Sequence, residues 1–292
     1  MRAFTSLCVS ALILAFTTAT LGAQVPPPVV IGGEDDSRES LAEPRDVQLI
    51  AGRIVVLERE APFLKVFTLD GRLVQRVGRA GAGPGELRYG AAMLYQPATR
   101  RLLVFDTPNA RASEFAFGDT LSFARSFATS LAVSGACMLG QRLFIAAYAA
   151  AGIVHEVAPQ SNELRVLRSF GEPTAKHPLA AHPLFRSFAG EGSLFCDTAS
   201  RRLLLASHVV GVLHRLPSDG TSQSTDPIAG FEAVVMEAAP DNGFRQKMPA
   251  SGVYDQVVGF REAPDGAHVI IGRADREHTG AGDFATYREV RV

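Results

Sequence analysis

The chain has 292 residues and a nearly balanced charge, 29 lysines and arginines against 30 aspartates and glutamates. That balance excludes a general electrostatic pull on nucleic acid or anionic lipid. Beyond the N-terminus no stretch is long and apolar enough to cross a bilayer as a helix.

The first residues read as a targeting segment. Arg2 supplies a positive start, Leu7 to Leu21 is apolar and small, and Leu21-Gly22-Ala23 before Gln24 is a cleavage pattern. Cys8 has the apolar region behind it and is too near the start for lipid attachment. The expected mature chain, Gln24 to Val292, is exported to the periplasm or beyond and suffices for one large domain. Removing residues 1–23 takes away Arg2 and no acid, leaving 28 basic and 30 acidic residues. Residues 24–45 form an extended segment: Val25 to Pro28 is proline-rich, Val29–Ile31 is a candidate strand, and Glu34 to Glu43 is a charged loop.

From Asp46 onward a strand–turn unit recurs. Its markers are the runs beginning Gly52-Arg53, Arg100-Arg101, Gln141-Arg142, Arg201-Arg202 and Gly266-Ala267. In the first four a second strand and a turn follow, 17 to 20 residues after the arginine, at Gly71, Gly118, Asn162 and Gly220. A period of roughly 40 to 60 residues with several strands per unit predicts an all-β chain, a β-propeller of four-stranded blades over residues 46–292. The first blade is expected over Asp46–Gly78, with strands Asp46–Ile50, Arg53–Leu57, Leu64–Leu69 and Leu73–Val77 and an Asp70-Gly71 hairpin turn. The others run over Leu87–Phe127, Val133–Phe170, Gly192–Glu237 and Val253 to the end. Loops are expected at Gly78–Glu86, Gly171–Ser187 and Ala238–Gly252, with a turn at Phe185–Gly190 and no helix. Five units are visible, so either Val29–Ile31 and Tyr287–Val292 help to close a five-bladed ring or a sixth blade is missing. The chain ends inside strand-like sequence, which suggests a shortened copy without independent function as one alternative.

The stretch from Leu64 through Asp70-Gly71, then Val77-Gly78-Arg79-Ala80-Gly81-Ala82-Gly83-Pro84-Gly85-Glu86-Leu87, resembles an NHL repeat, as does Leu103 to Arg111. Together they resemble the secreted bacterial six-bladed propellers of the NHL and TolB-like group, best over Asp46–Phe117, faintly over the next two blades and weakly after Gly220. The resemblance implies a toroidal scaffold with a ligand face. Some members of that group are lactonases or amidating lyases with a metal in the central channel, but their metal-binding residues find no counterpart here.

Polar clusters have bland readings beside the sharp ones. Gly81–Glu86 lacks the lysine and helix of a phosphate loop and reads as a connector between blades. Asp106, Asn109 and Arg111 read as turn ties rather than a site. His177 and His182 share a loop with Glu172, in a spacing that fits no metal motif. His155, His208, His214, His268 and His278 show no obvious partner, and Glu232 with Glu237 or Asp241 is an arbitrary carboxylate pair. No nucleophile elbow or paired-histidine zinc motif is present.

Two cysteines remain after cleavage, and both fall late in the first strand of their units. First strands of a propeller line its axis, so Cys137 and Cys196 are either a disulfide or two buried thiols. Between-blade loops and second-to-third-strand turns share one face. They bring together Arg79, Arg88, Lys176, His177, His182, Arg186, Arg245 and Lys247, a basic-leaning rim suited to a small anion, a carboxylated glycan or an acidic peptide. The leading expectation is a monomeric, non-enzymatic binding scaffold without cofactor. The alternative is a metal-dependent hydrolase or lyase at the channel.

Overall fold

The computed structural model of the protein describes residues 31–32, 40–41, 43–173, 179–239, 244–275 and 284–292. The expected signal segment 1–23, most of the segment to residue 43, Lys176, His177, Asp241 and His278 lie outside the described residues.

The first blade is an antiparallel meander of β1 (Pro44–Ile50), β2 (Arg53–Glu58), β3 (Leu64–Thr68) and β4 (Leu73–Val77). The second holds β5 (Gly90–Gln96), β6 (Arg101–Asp106), β7 (Arg111–Phe117) and β8 (Leu121–Ala128), with a 3-10 turn at Thr107–Asn109. The third holds β9 (Gly135–Leu139), β10 (Arg142–Ala149), β11 (Gly152–Gln160) and β12 (Glu163–Phe170). A parallel bridge, Glu163 to Ala128, links the outer strands β12 and β8. Helix α1 (Pro183–Gly190) then leads into the fourth blade, β13 (Gly192–Asp197), β14 (Arg202–Ser207), β15 (Val212–Pro217) and β16 (Ser224–Pro227). A separate hairpin follows, β17 (Val235–Ala238) with β18 (Phe244–Lys247). The last sheet has β19 (Val253–Ala263), β20 (Gly266–Asp275) and β21 (Thr286–Arg291). The first strands neighbour one another in the order β1, β5, β9, β13, β19.

The core explains why second strands read as unbroken apolar runs. A blade is buried on both faces, so alternate residues of one strand serve different neighbours. Leu102 and Val104 pack toward the first blade with Val55 and Leu57. Leu103 and Phe105 pack toward the third with Leu143 and Ile145. Phe144 and Ala146 then meet Leu203 and Leu205, and Leu204 and Ala206 meet Val269 and Ile271. Each contact between blades is thus its own core. The inner strands approach closely: a side chain at Gly135 would lie 2.8 Å from the Gly192 carbonyl. Beside it Cys137 and Cys196 are joined by a disulfide, with Cα atoms 5.6 Å apart.

Side chains bridge where adjacent sheets diverge. Gln75 on β4 donates to the Leu121 carbonyl at 2.9 Å and accepts from the Leu121 amide at 2.8 Å. Arg142 and Arg168 both hold Glu156 and reach the Ser218 carbonyl in the next blade. A buried polar residue also recurs at one place on the third strand. Lys65, Ser113, His155 and His214 face Val56, Val104, Ile145 and Leu205, each three residues after the marker arginine.

Four expectations are corrected. Phe185–Gly190 is no mere turn: a helix starts at Pro183, whose ring presets the first turn, and the His182 ring accepts the Leu184 amide at 3.3 Å. At eight residues it is too short for its period to register in sequence. The fourth blade ends at Pro227 rather than Glu237, and the expected loop Ala238–Gly252 contains a strand. Four histidines that show no obvious partner in the sequence have partners in the fold. His155 meets Ser169 and the Ala147 carbonyl, His214 meets Thr225 and the Ala189 carbonyl, His208 meets Ser193, and His268 meets Asp265. For His155, His208 and His214 the partners lie on strands or on α1, 8 to 25 residues away, which hides them from a linear reading; Asp265 lies only 3 residues from His268.

Candidate functional site

The inner strands enclose a cavity of about 890 Å³ at the axis. Residues of β1, β5, β9, β13 and β19 form its wall. Thr107, Val209, Tyr89, Val133 and Glu191 extend it into between-blade loops and second-to-third-strand turns. The cavity therefore opens on the face where sequence reasoning placed the rim.

Strand β1 sets one side. Gln48 donates to the Met93 carbonyl at 2.7 Å and accepts the Tyr95 amide at 3.1 Å, which fixes β1 against β5 without a regular ladder. Asp46 accepts the Met93 amide at 3.0 Å. Burial raises the Asp46 carboxyl to about 6, against the opposing pull of that amide and the Val47 amide. Arg45, beside it and exposed, lays its guanidinium 5.4 Å from the centre of the Tyr89 ring. Arg59 also approaches that ring at 6.0 Å but is paired with Glu43 at 3.2 Å.

Across the cavity the Nε2 of His208 lies 3.2 Å from the Ser193 hydroxyl. The ring keeps an edge open to the cavity. The atoms packed round it nonetheless push its pKa down to about 4, and the Arg45 charge adds to that. The imidazole is neutral at physiological pH. A serine–histidine contact raises the question of a nucleophile. A general base works best with a pKa near the working pH and a group that orients its other nitrogen. His208 has a depressed pKa, and no carboxylate holds its Nδ1 among the described residues. Glu191, on the same wall, accepts from Ser187 at 2.7 Å.

Much of the remaining wall is apolar, with Thr107, Ser134 and Gln256 as further polar side chains. Phe195 and Phe260 stack with ring centres 5.5 Å apart at 25°. Ala92, Ala136, Leu194 and Val258 complete much of it. Among the described residues no three histidine, cysteine, aspartate or glutamate side chains converge as a metal would require.

Of the eight rim residues expected from sequence, the six described ones stand away from this cavity. Arg79 is exposed and pairs with Glu86 at 3.1 Å, and Arg88 is exposed. His182 caps α1, Arg186 lies within it, and Lys247 pairs with Glu237 at 2.6 Å beside Arg245 on the hairpin. None of the described six lines the cavity, and Lys176 and His177 lie outside the described residues. Sequence reasoning missed Arg45, Tyr89, Ser193 and His208. The only signal was position, since each stands at an end of a first or second strand on the loop face. The turn residues behave as ties: Asp106 accepts the Arg88 and Tyr89 amides, Asn109 donates to the Gly81 carbonyl, and Arg111 donates to the Ala82 and Gly83 carbonyls. Gly81–Glu86 is a connector whose carbonyls point at arginine, which suits no phosphate.

No family model matches the chain, and no curated protein is similar to it. Solved structures are. A protein from Bacteroides fragilis named only as exported is 12% identical with a TM-score of 0.50, the match covering 90% of this chain and 75% of that one. Another from Bacteroides fragilis, provisionally named a 6-phosphogluconolactonase, is 13% identical with a TM-score of 0.50, covering 86% and 71%. A virginiamycin B lyase from Staphylococcus aureus is 8% identical with a TM-score of 0.49, covering 85% and 84%. At such identities the likeness speaks for the fold alone. Radial meanders of antiparallel strands, packed face to face around an axial cavity, make this chain an all-β propeller.

Proposed function

We propose that the chain is an exported propeller of the six-bladed NHL and TolB-like type, one domain from residue 46, that binds a small ligand or a partner at its central cavity. The observation that carries this reading is the cavity of about 890 Å³, open on the loop face. Its size falls within the range of roughly 300–1,000 Å³ typical of small-molecule sites. Rigid inner strands with varied loops at their ends make a recognition surface without further machinery. The arginines of the outer rim add attraction for anions, which physiological salt screens. Export is supported by the N-terminal pattern and by a disulfide between inner strands, a bond that persists in oxidising compartments. No helix among the described residues is long and apolar enough to cross a membrane.

The competing reading is a metal-dependent hydrolase or lyase in the same channel, and the Ser193–His208 contact is what favours chemistry there. A thermal-shift screen of a varied small-molecule set separates the two. Ligands at a hundred times their Kd are expected to stabilise the protein by about 2.7 kcal/mol. Val258→Trp, at an exposed position on the cavity wall, is expected to remove that gain. Equal stabilisation of the variant would sink the cavity as the site. Tight stoichiometric calcium or zinc in the purified protein, with turnover of a lactone, would favour the enzyme.

A further inference from the structure

The chemistry of the cavity wall narrows its ligand, on the reading that the cavity is the binding site. Three charged groups reach the wall. Asp46 is engaged by the Met93 amide and Glu191 by the Ser187 hydroxyl. Arg45 is the one cation of the three, and no carboxylate is paired with it among the described residues: its contact is the face of Tyr89. A guanidinium stacked on a ring keeps its N–H edge free for a planar oxyanion, and its geometry is already restrained. Across the cavity His208, in contact with the Ser193 hydroxyl, adds hydrogen-bonding groups to the wall without an opposing charge. Flat apolar surface on the wall is offered by Phe195 and Phe260, stacked on each other and both half-buried.

We infer that the cavity takes a small amphipathic anion, its oxyanion group on Arg45 and its flat apolar body against Phe195 and Phe260. The outer rim arginines play no part in holding it. Selectivity comes from the unpaired charge at one end and the aromatic wall at the other. A cation of the same shape is repelled by Arg45, and a neutral analogue leaves the guanidinium without a partner.

The test uses the mature protein, isothermal titration and amide chemical shifts. The probes are 2-naphthoate, 2-naphthylmethanol, 2-naphthylmethylammonium and acetate. Naphthoate is expected to bind at least about tenfold tighter than the alcohol, the ratio that corresponds to one charge-assisted contact of about 1.4 kcal/mol. Acetate is expected to bind at least about a hundredfold more weakly than naphthoate, for want of apolar surface. Arg45→Gln removes the preference for naphthoate over the alcohol. Arg45→Lys keeps most of it, and the exposed position leaves melting temperatures unchanged. If the alcohol or the ammonium binds as well as naphthoate, or Arg45→Gln keeps the preference, the anion inference is overturned while the cavity stands as a site. If no probe shifts amides of the cavity wall, the cavity reading itself is overturned and this inference with it.

Discussion

Two aspartates, the half-buried Asp46 and the buried Asp255, stand on first strands at opposite ends of the described blades and meet opposite fates. Burial works to raise the Asp255 carboxyl, but Arg273 at 2.7 Å, the Glu232 amide at 3.1 Å and Arg288 at 3.1 Å outweigh it, and the pKa is lowered. Asp46 has backbone amides but no arginine hydrogen-bonded to it, and burial prevails. Residue type and strand are the same. What differs is that β20 and β21 each deliver a guanidinium to β19, whereas β2 and β3 deliver none to β1. The fifth blade uses its acid as a joint, and the first leaves one titratable on a cavity wall. The histidines repeat the contrast. His214 spends both ring nitrogens inside the fold, while His208 spends one on Ser193 and turns an edge to the cavity.

The comparison can be broken by experiment. The joint with the largest expected effect is neither acid but the disulfide between β9 and β13, which spans 59 residues. Replacing both cysteines by alanine is expected to cost about 4 kcal/mol in the chain-entropy treatment. An unchanged urea midpoint would show that packing alone aligns the inner strands, and two reactive thiols in the unreduced, denatured protein would show that the bond is absent.

Next comes Asp255→Ala. It strands two arginines whose side chains are about a third exposed (35% and 33%), which places the cost near the lower end of the buried-pair range, about 3 kcal/mol. Asp46→Ala is expected to cost at most about 1 kcal/mol, the worth of one hydrogen bond, and less than that at neutral pH. Equal losses in chemical denaturation would erase the distinction.

The third effect is in pH. The folded pKa of Asp46 is raised, so its contribution is full below about 3.8 and is lost as pH rises through about 6. The stability of wild type relative to Asp46→Asn should therefore fall by on the order of 2 kcal/mol between pH 4 and pH 7. A flat difference would mean that water reaches the carboxyl freely.

A further pH effect has the reverse sign. His208 and His214 have folded pKa values lowered to about 4 from 6.5. Their contribution is present above 6.5 and is lost as pH falls toward 4. His214→Gln should flatten that acid-side loss by on the order of 3 kcal/mol between pH 7 and pH 4, and an unaltered profile would place the titration elsewhere.

Much of the fold was legible because the repeat is written in local chemistry. Each marker arginine opens a second strand, and the apolar run after it is continuous since both faces of a blade are covered. Cys137 and Cys196 could be set in matching inner strands by counting back from Arg142 and Arg202. The helix at Pro183 was not legible, because eight residues carry too little periodicity. The hairpin at Val235–Lys247 was not, because its strands have four residues each and pack outside the repeat. The six described rim residues stand away from the axial cavity, since sharing a face does not say which side chains turn inward.

The sequence by itself determined the all-β class, the order of the first blades and the turn chemistry of Asp106, Asn109 and Arg111. Those features depend on periodicity and on residues close together in the chain. Only the tertiary structure decided that Arg45 meets Tyr89, that His208 meets Ser193 across two strands, and that Asp46 and Asp255 part company. Such differences turn on which neighbours burial brings within a few ångströms, and that distance is set by blades packing around an axis rather than by any local pattern.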